Sequence, residues 1–310
     1  MALTVTNYGA TLIDLIVPDK NGKPVNVSAG LCRTEQYLES SYQDHELHLG
    51  GSIGRYAGRL SEPLTIENKS HDIYAPDGVH LHGGRSGFDR KYWKLEDLIY
   101  GEIPSVTLSY VSPHTEEGYP GNLRVRVTYA LNDLNELIIS YEAETDQTTI
   151  VNLTNHAYFN LNGKGTILDH MLQIHSDKHL EVNSDLIPTG NFLENKLTRF
   201  DYLKSTSLSE QTFKGLDDTF VLNNNEIKAS LFSDKTGIKM NVYTNQPALV
   251  VFTPKKFPAM PLSNEFGSFP AICFEAQNYP DAPKHVHFPS SILKEGERYI
   301  NKTKYSFTIS

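Results

Sequence analysis

Cysteine is scarce in this chain, and so is any excess of positive charge. Only Cys32 and Cys273 occur among 310 residues, too few for a disulfide framework. Lys and Arg number 28 against 37 Asp and Glu, so the formal net charge is −9. This balance argues against a nucleic-acid-binding protein, which normally has a basic surface. It also disfavours an anionic membrane surface as a partner.

Long apolar runs are absent too. No segment approaches the roughly 18 consecutive apolar residues of a transmembrane helix. The opening "MALTVTNYGA" lacks the charged and apolar regions of a signal peptide. We therefore expect a soluble, cytoplasmic protein, either a monomer or a homodimer.

Common catalytic and metal-binding motifs are missing as well. There is no Gly-x-Ser-x-Gly elbow, P-loop or Cys-x-x-Cys pair. Of the twelve histidines, "DHELH" holds His45 and His48, and "KHVHF" holds His285 and His287. Neither pair has cysteine partners or a His-Glu-x-x-His pattern on a helix. We interpret these four as surface residues and predict no metal.

What the chain has in abundance is strand-forming sequence. "SVTLSYV", "LRVRVTYALN" and "ELIISYEAET" are rich in β-formers and separated by turn-forming residues. Asn21–Gly22 and residues 234–237 predict hairpins, and only "TEQYLESS" suggests a short helix. With no repeat or linker, we predict an all-β fold with few short helices. It should be a large antiparallel β-sandwich and a single domain over residues 1–310.

The stretch "IVNLTNHAYFNLNG", residues 150–163, resembles a strand with a histidine at its centre. The alternation of a strand places His156 on a face of uncharged polar side chains. Such a face suits a concave site for a polyhydroxylated ligand. The alternative is an exposed strand face on which His156 has no role.

Two glycine-rich segments carry further candidates. In "GGSIGRYAGRL", glycines that permit close approach of a ligand bracket Arg55 and Arg59. We interpret Arg55 as structural. In "VHLHGGRSGFDRKYW", His82 precedes paired glycines in a loop, a setting typical of functional residues. His80 is the expected bystander.

Acidic candidates lie in two later segments. Asp217 and Asp218 in "GLDDTFVL" precede a short apolar strand, and the alternative is that they cap a turn or face solvent. Glu275 lies inside the apolar run "AICFEAQ". Burial there would raise its pKa towards the range useful for a base near neutral pH. The alternative is a buried Glu paired with an Arg.

Taken in order, "GRYAGRL", "HLHGGRSGFDRKYW", "EEGYPGNLRVRVTYAL", "VNLTNHAYFNLNG" and "FEAQNYPDAP" resemble the motifs of the aldose 1-epimerases, the galactose mutarotases. The resemblance runs from about Thr6 to the closing "GERYINKTKYSF". It implies one large antiparallel domain, the galactose mutarotase-like supersandwich. It also implies catalysis on an aldohexose without metal or organic cofactor.

The resemblance assigns roles to individual positions. The family's proposed general base falls on Glu275 and its proposed general acid on His156. Its sugar-binding residues fall on Arg59, His82 and Asp217. These are the residues that we expect to form the site.

A few features of the motifs qualify the match. Tyr158 and Asn155 lie within the signature and are given only a supporting role. Gly58 stands where many relatives have Asn, and Val250 where some have Gln. These departures bear on sugar preference more than on the reaction. Relatives usually carry an extra stretch before "VTNYGA", so we expect a shortened start here that leaves an edge strand unpaired.

The implied function is interconversion of the α and β anomers of a free hexose such as galactose or glucose. A base at the C1 hydroxyl and an acid at the ring oxygen predict a bell-shaped pH profile, with the acid limb from Glu275 and the alkaline limb from His156. One alternative is a sugar-phosphate 1-epimerase, which would need more basic residues. Another is a β-sandwich glycoside hydrolase, which usually needs two facing carboxyl groups. A non-catalytic carbohydrate-binding protein would not need both Glu275 and His156.

Overall fold

Strands make up nearly all of the regular structure in the computed structural model, which describes residues 1–310. In chain order they are β1 (Ala2–Thr6), β2 (Thr11–Pro18), β3 (Pro24–Asn26), β4 (Ser52–Ile53), β5 (Arg59–Ser61), β6 (Leu64–Ile66), β7 (Lys69–His71), β8 (Val79–Leu81), β9 (Lys94–Ile99), β10 (Ser105–Ser112), β11 (Leu123–Asn132), β12 (Glu136–Thr145), β13 (Thr149–Ile150), β14 (Thr154–Asn155), β15 (Tyr158–Phe159), β16 (His170–Ile174), β17 (Lys178–Val182), β18 (Pro188–Glu194), β19 (Thr206–Ser207), β20 (Asp217–Val221), β21 (Ala229–Ser233), β22 (Ile238–Thr244), β23 (Ala248–Phe252), β24 (Ile272–Gln277), β25 (Ile292–Leu293) and β26 (Tyr299–Ile309).

Helices are few and short. The one α-helix is α1 (Ser40–Gln43), and single 3₁₀ turns span Thr34–Leu38, Pro76–Gly78, Phe88–Arg90, Glu116–Gly118 and Ala282–Lys284. None of these helices has the length and apolar character needed to cross a lipid bilayer. The first turn and α1 together confirm the short helix predicted around "TEQYLESS".

Alternation of side chains explains why the long strands form. In β11, Leu123, Val125 and Val127 are buried while Arg124 and Arg126 are exposed. This period of two is what a strand with one face on a core requires. The predicted strands correspond to β10, β11 and β12, and both predicted hairpins form, between β2 and β3 and between β21 and β22.

Two large sheets dominate the architecture. Nine strands follow the order β19-β16-β21-β22-β26-β12-β11-β10-β9, and six follow β15-β24-β23-β20-β17-β18. A three-stranded sheet β1-β2-β3 and four two-stranded pairs complete the fold. The ladders within the two large sheets are antiparallel. The all-β antiparallel prediction is therefore confirmed.

The two large sheets pack face to face over a shared core. A cluster of 42 buried residues draws on strands of both sheets. Between them, the rings of Phe159 and Tyr305 lie 4.9 Å apart, and Tyr305 Oη donates to the carbonyl of Phe274 at 3.0 Å. Asn301 Nδ2 donates to the carbonyl of Ala276 at 2.9 Å. Strand β26, in the middle of the large sheet, is thereby bonded to β24 of the smaller one, and the chain forms a β-sandwich.

The segment 150–163 differs from its prediction as one continuous strand. It forms only the two-residue strands β13, β14 and β15, and it is buried on both sides. Its asparagines explain the difference, because they bind backbone carbonyls of neighbouring loops. Asn152 donates to Ala57 at 3.0 Å and Asn155 to Gly50 at 2.8 Å. The polar face thus holds loops in place, and only part of it reaches a ligand-sized space.

Candidate active site

A cavity of about 250 Å³ opens on the face of the six-stranded sheet that points away from the shared core. Ligand pockets for drug-sized molecules usually enclose about 300–1,000 Å³, so this space suits a small ligand. The five residues to which the family motifs assign roles all line it: Arg59, His82, His156, Asp217 and Glu275.

Three neighbouring strands form the floor of the cavity. Glu275 on β24 lies opposite Val250 on β23, and Val250 lies opposite Thr219 on β20. Because side chains alternate along a strand, residues two positions away reach the same face. Asp217 and Gln277 line the cavity for this reason. The apolar run around Glu275 thus has one face in the core and the other on the site.

Loops from the glycine-rich segments form one wall. The amide of His82 donates to the carbonyl of Gly58 at 3.1 Å, and the amide of Gly58 donates to Nδ1 of His82 at 3.2 Å. The next residue, Gly83, has φ +88, and a Cβ there would lie 1.8 Å from the carbonyl oxygen of Gly54. Only glycine permits this approach, which brings the His82 loop against the segment that carries Arg59.

His156 is fixed through its backbone as well as its ring. Its amide donates to the carbonyl of Gly51, and its carbonyl accepts from the amide of Gly50, both at 2.9 Å. The ring stacks on Tyr158 with 5.0 Å between centroids. Nδ1 lies 3.5 Å from the thiol sulfur of Cys273. The other ring nitrogen is left to face Glu275.

Glu275 and His156 form a buried pair. His156 Nε2 lies 3.5 Å from Glu275 Oε1, and their side chains are only 5% and 2% exposed. Glu275 Oε2 is buried without a hydrogen-bond partner. Burial raises the pKa of Glu275 to about 8, with Asp217 adding to the shift and Arg59 opposing it. Burial lowers the pKa of His156 to about 3, and the nearby His48 adds to that effect.

These pKa values give the pair one proton at neutral pH, held by Glu275 while His156 is neutral. The expected assignment of the two pH limbs is therefore exchanged, since Glu275 now titrates on the alkaline side. The pair holds one proton in either arrangement, because an ionised Glu275 beside a protonated His156 also carries a single proton between them. Such a coupled pair titrates as a unit.

The remaining groups offer hydrogen bonds to a ligand. Since His82 Nδ1 accepts from Gly58, its ring proton lies on Nε2, which is a donor. Burial keeps the pKa of His82 well below its usual value, so this ring is neutral. Arg59 Nη2 lies 3.7 Å from Asp217 Oδ2, with both side chains partly exposed. The wall therefore presents donors and a carboxylate side by side.

Three of these groups lie as close together as metal ligands do. Ligand atoms of His82, His156 and Glu275 lie within 4.8 Å of one another. A metal needs a free lone pair on imidazole and an ionised carboxylate. In His82 the Gly58 amide occupies the lone pair on Nδ1, and Glu275 is protonated at neutral pH. These three groups are arranged for hydrogen bonding and proton transfer, and the absence of a metal stays a prediction.

A model of the family described as aldose 1-epimerase matches residues 1–306. The chain belongs to the aldose 1-epimerase family. It is accordingly an isomerase, as the motifs predicted.

Related sequences extend over almost the whole chain of this aldose 1-epimerase. The galactose mutarotase of Sus scrofa is 36% identical over 100% of this chain and 92% of its own length. The human galactose mutarotase is 34% identical with the same coverage. The aldose 1-epimerase of Escherichia coli K12 is 30% identical over 99% of this chain and 92% of its own.

Solved structures of related proteins have the same fold as this chain. An aldose epimerase homologue from C. elegans superposes with a TM-score of 0.90 at 28% identity, covering 99% of this chain and 95% of its own. The galactose 1-epimerase of Lactobacillus acidophilus superposes with a TM-score of 0.86 at 30% identity, covering 100% and 92%. The predicted galactose mutarotase-like fold is confirmed.

Several residues that the sequence set aside lie outside the cavity of the aldose 1-epimerase. The Arg55 guanidinium is buried and donates to backbone carbonyls, including those of Ser112 and Pro120 at 3.1 and 2.9 Å. His80 is buried with Nδ1 2.7 Å from the carbonyl of Tyr74. Both are structural, as interpreted. Asp218 pairs with Arg199 at 3.5 Å and does not line the cavity, unlike Asp217.

His48 and Gln277 also line the cavity, although neither was a predicted site residue. His48, interpreted as a surface residue, lies with its ring in the wall, 5.0 Å from the ring of His82. That interpretation is wrong, and no spacing signal links His48 to the 79–93 segment. Gln277 is fully buried and its Oε1 has no partner. Its position two residues after Glu275 on one strand could have identified it.

Both departures from the family pattern line the cavity, as does one of the two supporting residues. Gly58 has φ +80, and a Cβ there would lie 3.1 Å from Gln277 Nε2. Val250 adds an apolar surface to the floor. Tyr158 lines the cavity, whereas Asn155 binds the carbonyl of Gly50 and does not.

Proposed function

We propose that this aldose 1-epimerase interconverts the α and β anomers of a free aldohexose, such as galactose or glucose, by opening and reclosing the ring. The observation that carries the proposal is the buried pair of Glu275 and His156, 3.5 Å apart in a cavity lined by Arg59, His82 and Asp217. Relatives named galactose mutarotase support galactose as a substrate.

The reaction needs one base and one acid on the same side of a sugar. Ring opening removes the proton of the C1 hydroxyl and adds a proton to the ring oxygen, which leaves an open-chain aldehyde. Both oxygens are bonded to C1, so the two catalytic groups need to lie close together. Glu275 as the base and His156 as the acid meet that requirement. After rotation about C1–C2, each group reverses its role and closes the ring as the other anomer.

The protonation of the pair fits this cycle. Opening starts with Glu275 ionised and His156 protonated, and it ends with the proton on Glu275. Without sugar, the proton is favoured on Glu275 and His156 is neutral. A C1 hydroxyl that donates to Glu275 and a ring oxygen that accepts from His156 both favour the charged forms. Bound cyclic sugar therefore shifts the proton from Glu275 to His156, and no net proton leaves the site.

Arg59, His82 and Asp217 hold the sugar in place. Arg59 and the Nε2–H of His82 donate to sugar oxygens, while Asp217 accepts from hydroxyl groups. Fixing the ring lets only the C1 hydroxyl and the ring oxygen meet the catalytic pair, which removes much of the entropic barrier.

The charge of the cavity favours a free sugar over a phosphorylated one. Arg59 is the only Arg or Lys among the lining residues, and it is already next to Asp217. Glu46 and Glu275 add further carboxyl groups to the wall. A phosphate would usually be bound by a cluster of basic side chains. A hydrolase is also disfavoured, because Glu275 is paired with an imidazole rather than a second carboxyl group.

Polarimetry tests the proposal. Freshly dissolved α-galactose and α-glucose should reach equilibrium faster with the protein, with chelator present and no added cofactor, while glucose 6-phosphate should respond weakly. Glu275→Gln and His156→Asn are matched controls, since each keeps the shape but cannot transfer a proton as required. No acceleration with either sugar would contradict the function. Loss of activity with chelator and its return with a divalent metal would contradict the metal-free mechanism.

We further propose that residues 1–310 act as one domain, since the 42-residue core includes both Ala10 and Phe307.

Cys32 and Cys273 are both free thiols, which fits the reducing cytoplasm. A monomer or a homodimer is expected, and light scattering would decide between them.

A further inference from the structure

His48 lies in the cavity wall but has no part in the reaction as proposed. Its Nδ1 lies 2.8 Å from Asp89 Oδ2, and the two side chains are only 11% and 10% exposed. Burial alone would raise the pKa of Asp89, but the neighbouring His48 and Arg90, together with hydrogen bonds to the carboxylate, outweigh burial and lower that pKa. Asp89 is therefore an ionised carboxylate that holds one ring nitrogen of His48.

The ring of His48 belongs to a cluster of three imidazoles. Its centroid lies 5.0 Å from that of His82 and 5.9 Å from that of His156. His48 has φ +53 and His82 has φ +51, a left-handed backbone that non-glycine residues rarely adopt and that often occurs at functional sites. The carbonyl of His48 accepts from the amide of Gly51 at 2.9 Å. Backbone and side chain thus both fix the position of the ring.

The ring nitrogens of the cluster have complementary roles. With its Nδ1–H donating to Asp89, a neutral His48 has its lone pair on Nε2, and no protein group bonds that atom. His82 has the opposite arrangement, because Gly58 donates to its Nδ1 and its Nε2 carries the proton. One hydroxyl group can accept from His82 and donate to His48 at the same time.

We propose that His48 is a further substrate-positioning residue, which accepts a hydrogen bond from the same sugar hydroxyl that His82 contacts. Asp89 orients its ring for this contact. The inference rests on the proposed function, which supplies the sugar as the ligand. It makes the pair of His48 and Asp89 a determinant of which hydroxyl pattern the enzyme prefers.

Kinetics and direct binding of the sugar test this role together. His48→Phe keeps an aromatic ring without an acceptor, and it should raise KM and the Kd from calorimetry about 3- to 10-fold, the value of one neutral hydrogen bond. The kcat should stay within about twofold. His48→Gln, which retains an acceptor, should recover part of the loss. Asp89→Asn should cause a smaller rise in KM. His71→Phe, outside the cavity, is the matched control and should change nothing.

Monodeoxy sugars separate a sugar contact from a structural effect. One analogue, lacking the hydroxyl that His48 binds, should give the same Kd with wild type and His48→Phe, while the other analogues keep the difference. If no analogue removes the difference, or if His48→Phe and His48→Gln bind galactose and glucose as wild type does, the inference is wrong. A wild type that binds sugar without turning it over would overturn only the proposed function, because the Kd comparison still decides the role of His48. If His48→Phe does not fold, the same comparison with His48→Gln and Asp89→Asn decides it. A wild type that binds no sugar overturns both.

Discussion

The shared proton of Glu275 and His156 makes a specific prediction for the pH dependence of kcat/KM. Activity should be level between about pH 5 and 7 and fall on the alkaline side, as the pair loses its only proton. With a pKa of about 8 for Glu275, kcat/KM should be about half its maximum at pH 8 and about one-eleventh at pH 9. The acid limb should lie near pH 3, where His156 gains a proton.

His156→Asn gives this prediction its sharpest form. Without the imidazole, the residual activity depends only on Glu275 as a base, and that group acts only when ionised. The variant should lose roughly two to four orders of magnitude in kcat/KM at pH 7. What remains should rise through pH 8 and level off above it, opposite to wild type. The assay is polarimetry from pH 5 to 10, with the spontaneous rate in each buffer subtracted.

The refuting result is an unchanged profile. If His156→Asn lost activity but kept the wild-type alkaline limb, that limb would belong to a group outside the pair, and the one-proton description would be wrong. If it turned over near the wild-type rate, His156 would be a sugar contact only, and the acid role would pass to His82. A control variant, Glu275→Gln, should lack the alkaline limb of wild type.

Other substitutions test separate parts of the structure. Glu275→Gln should raise the free energy of unfolding, because folding holds a proton on Glu275 that the unfolded chain releases above its usual pKa of 4.5. The gain in stability over wild type should be absent below pH 4.5, reach roughly 3 kcal/mol at pH 7 and level off above pH 8. Equal melting temperatures of wild type and variant at pH 5 and pH 8 would contradict this. Arg59→Ala should raise KM about 10- to 100-fold and lower kcat much less, since a charged hydrogen bond is lost in ground and transition states alike. Steady-state kinetics that show a large loss of kcat at unchanged KM would mean that Arg59 takes part in the chemical step. Arg55→Met should lower the free energy of unfolding in urea by roughly 3 kcal/mol or more, because it leaves buried carbonyls unpaired. The kcat at 25 °C should be unchanged. An unchanged free energy of unfolding would show that the buried guanidinium is not structural.

The long strands could be predicted from sequence because their alternation repeats over many residues. Strands such as β11 and β12 have one buried face over ten residues each, so local pattern and packing agree. The 150–163 segment also alternates, but its asparagines bond to loops that lie about a hundred residues away in sequence. No local pattern reveals such partners, and the single strand predicted there was wrong.

The site residues that carry a local sequence pattern could be predicted, and those that depend on distant partners could not. Glu275 stood out as an acid in an apolar run, His156 by its polar strand face and His82 by its glycine-rich loop. The family motifs then indicated Arg59 and Asp217. His48 did not stand out, because its meaning depends on Asp89, 41 residues later, and on the fold that joins them. The pKa directions of Glu275 and His156 also depend on burial in the assembled sandwich, so the sequence could name the pair but not place its proton.

The position of β26 has a consequence for how the enzyme is made. This strand, Tyr299–Ile309, is synthesised after both of its neighbours in the sheet, β22 and β12. Until it arrives, the growing chain carries two open strand edges that invite contact with other nascent chains. The strand also bonds the carbonyl groups of Phe274 and Ala276, on either side of Glu275, the proposed base. Enzymatic activity therefore requires that synthesis has passed β26, because a shorter nascent chain lacks the strand that supports the proposed base.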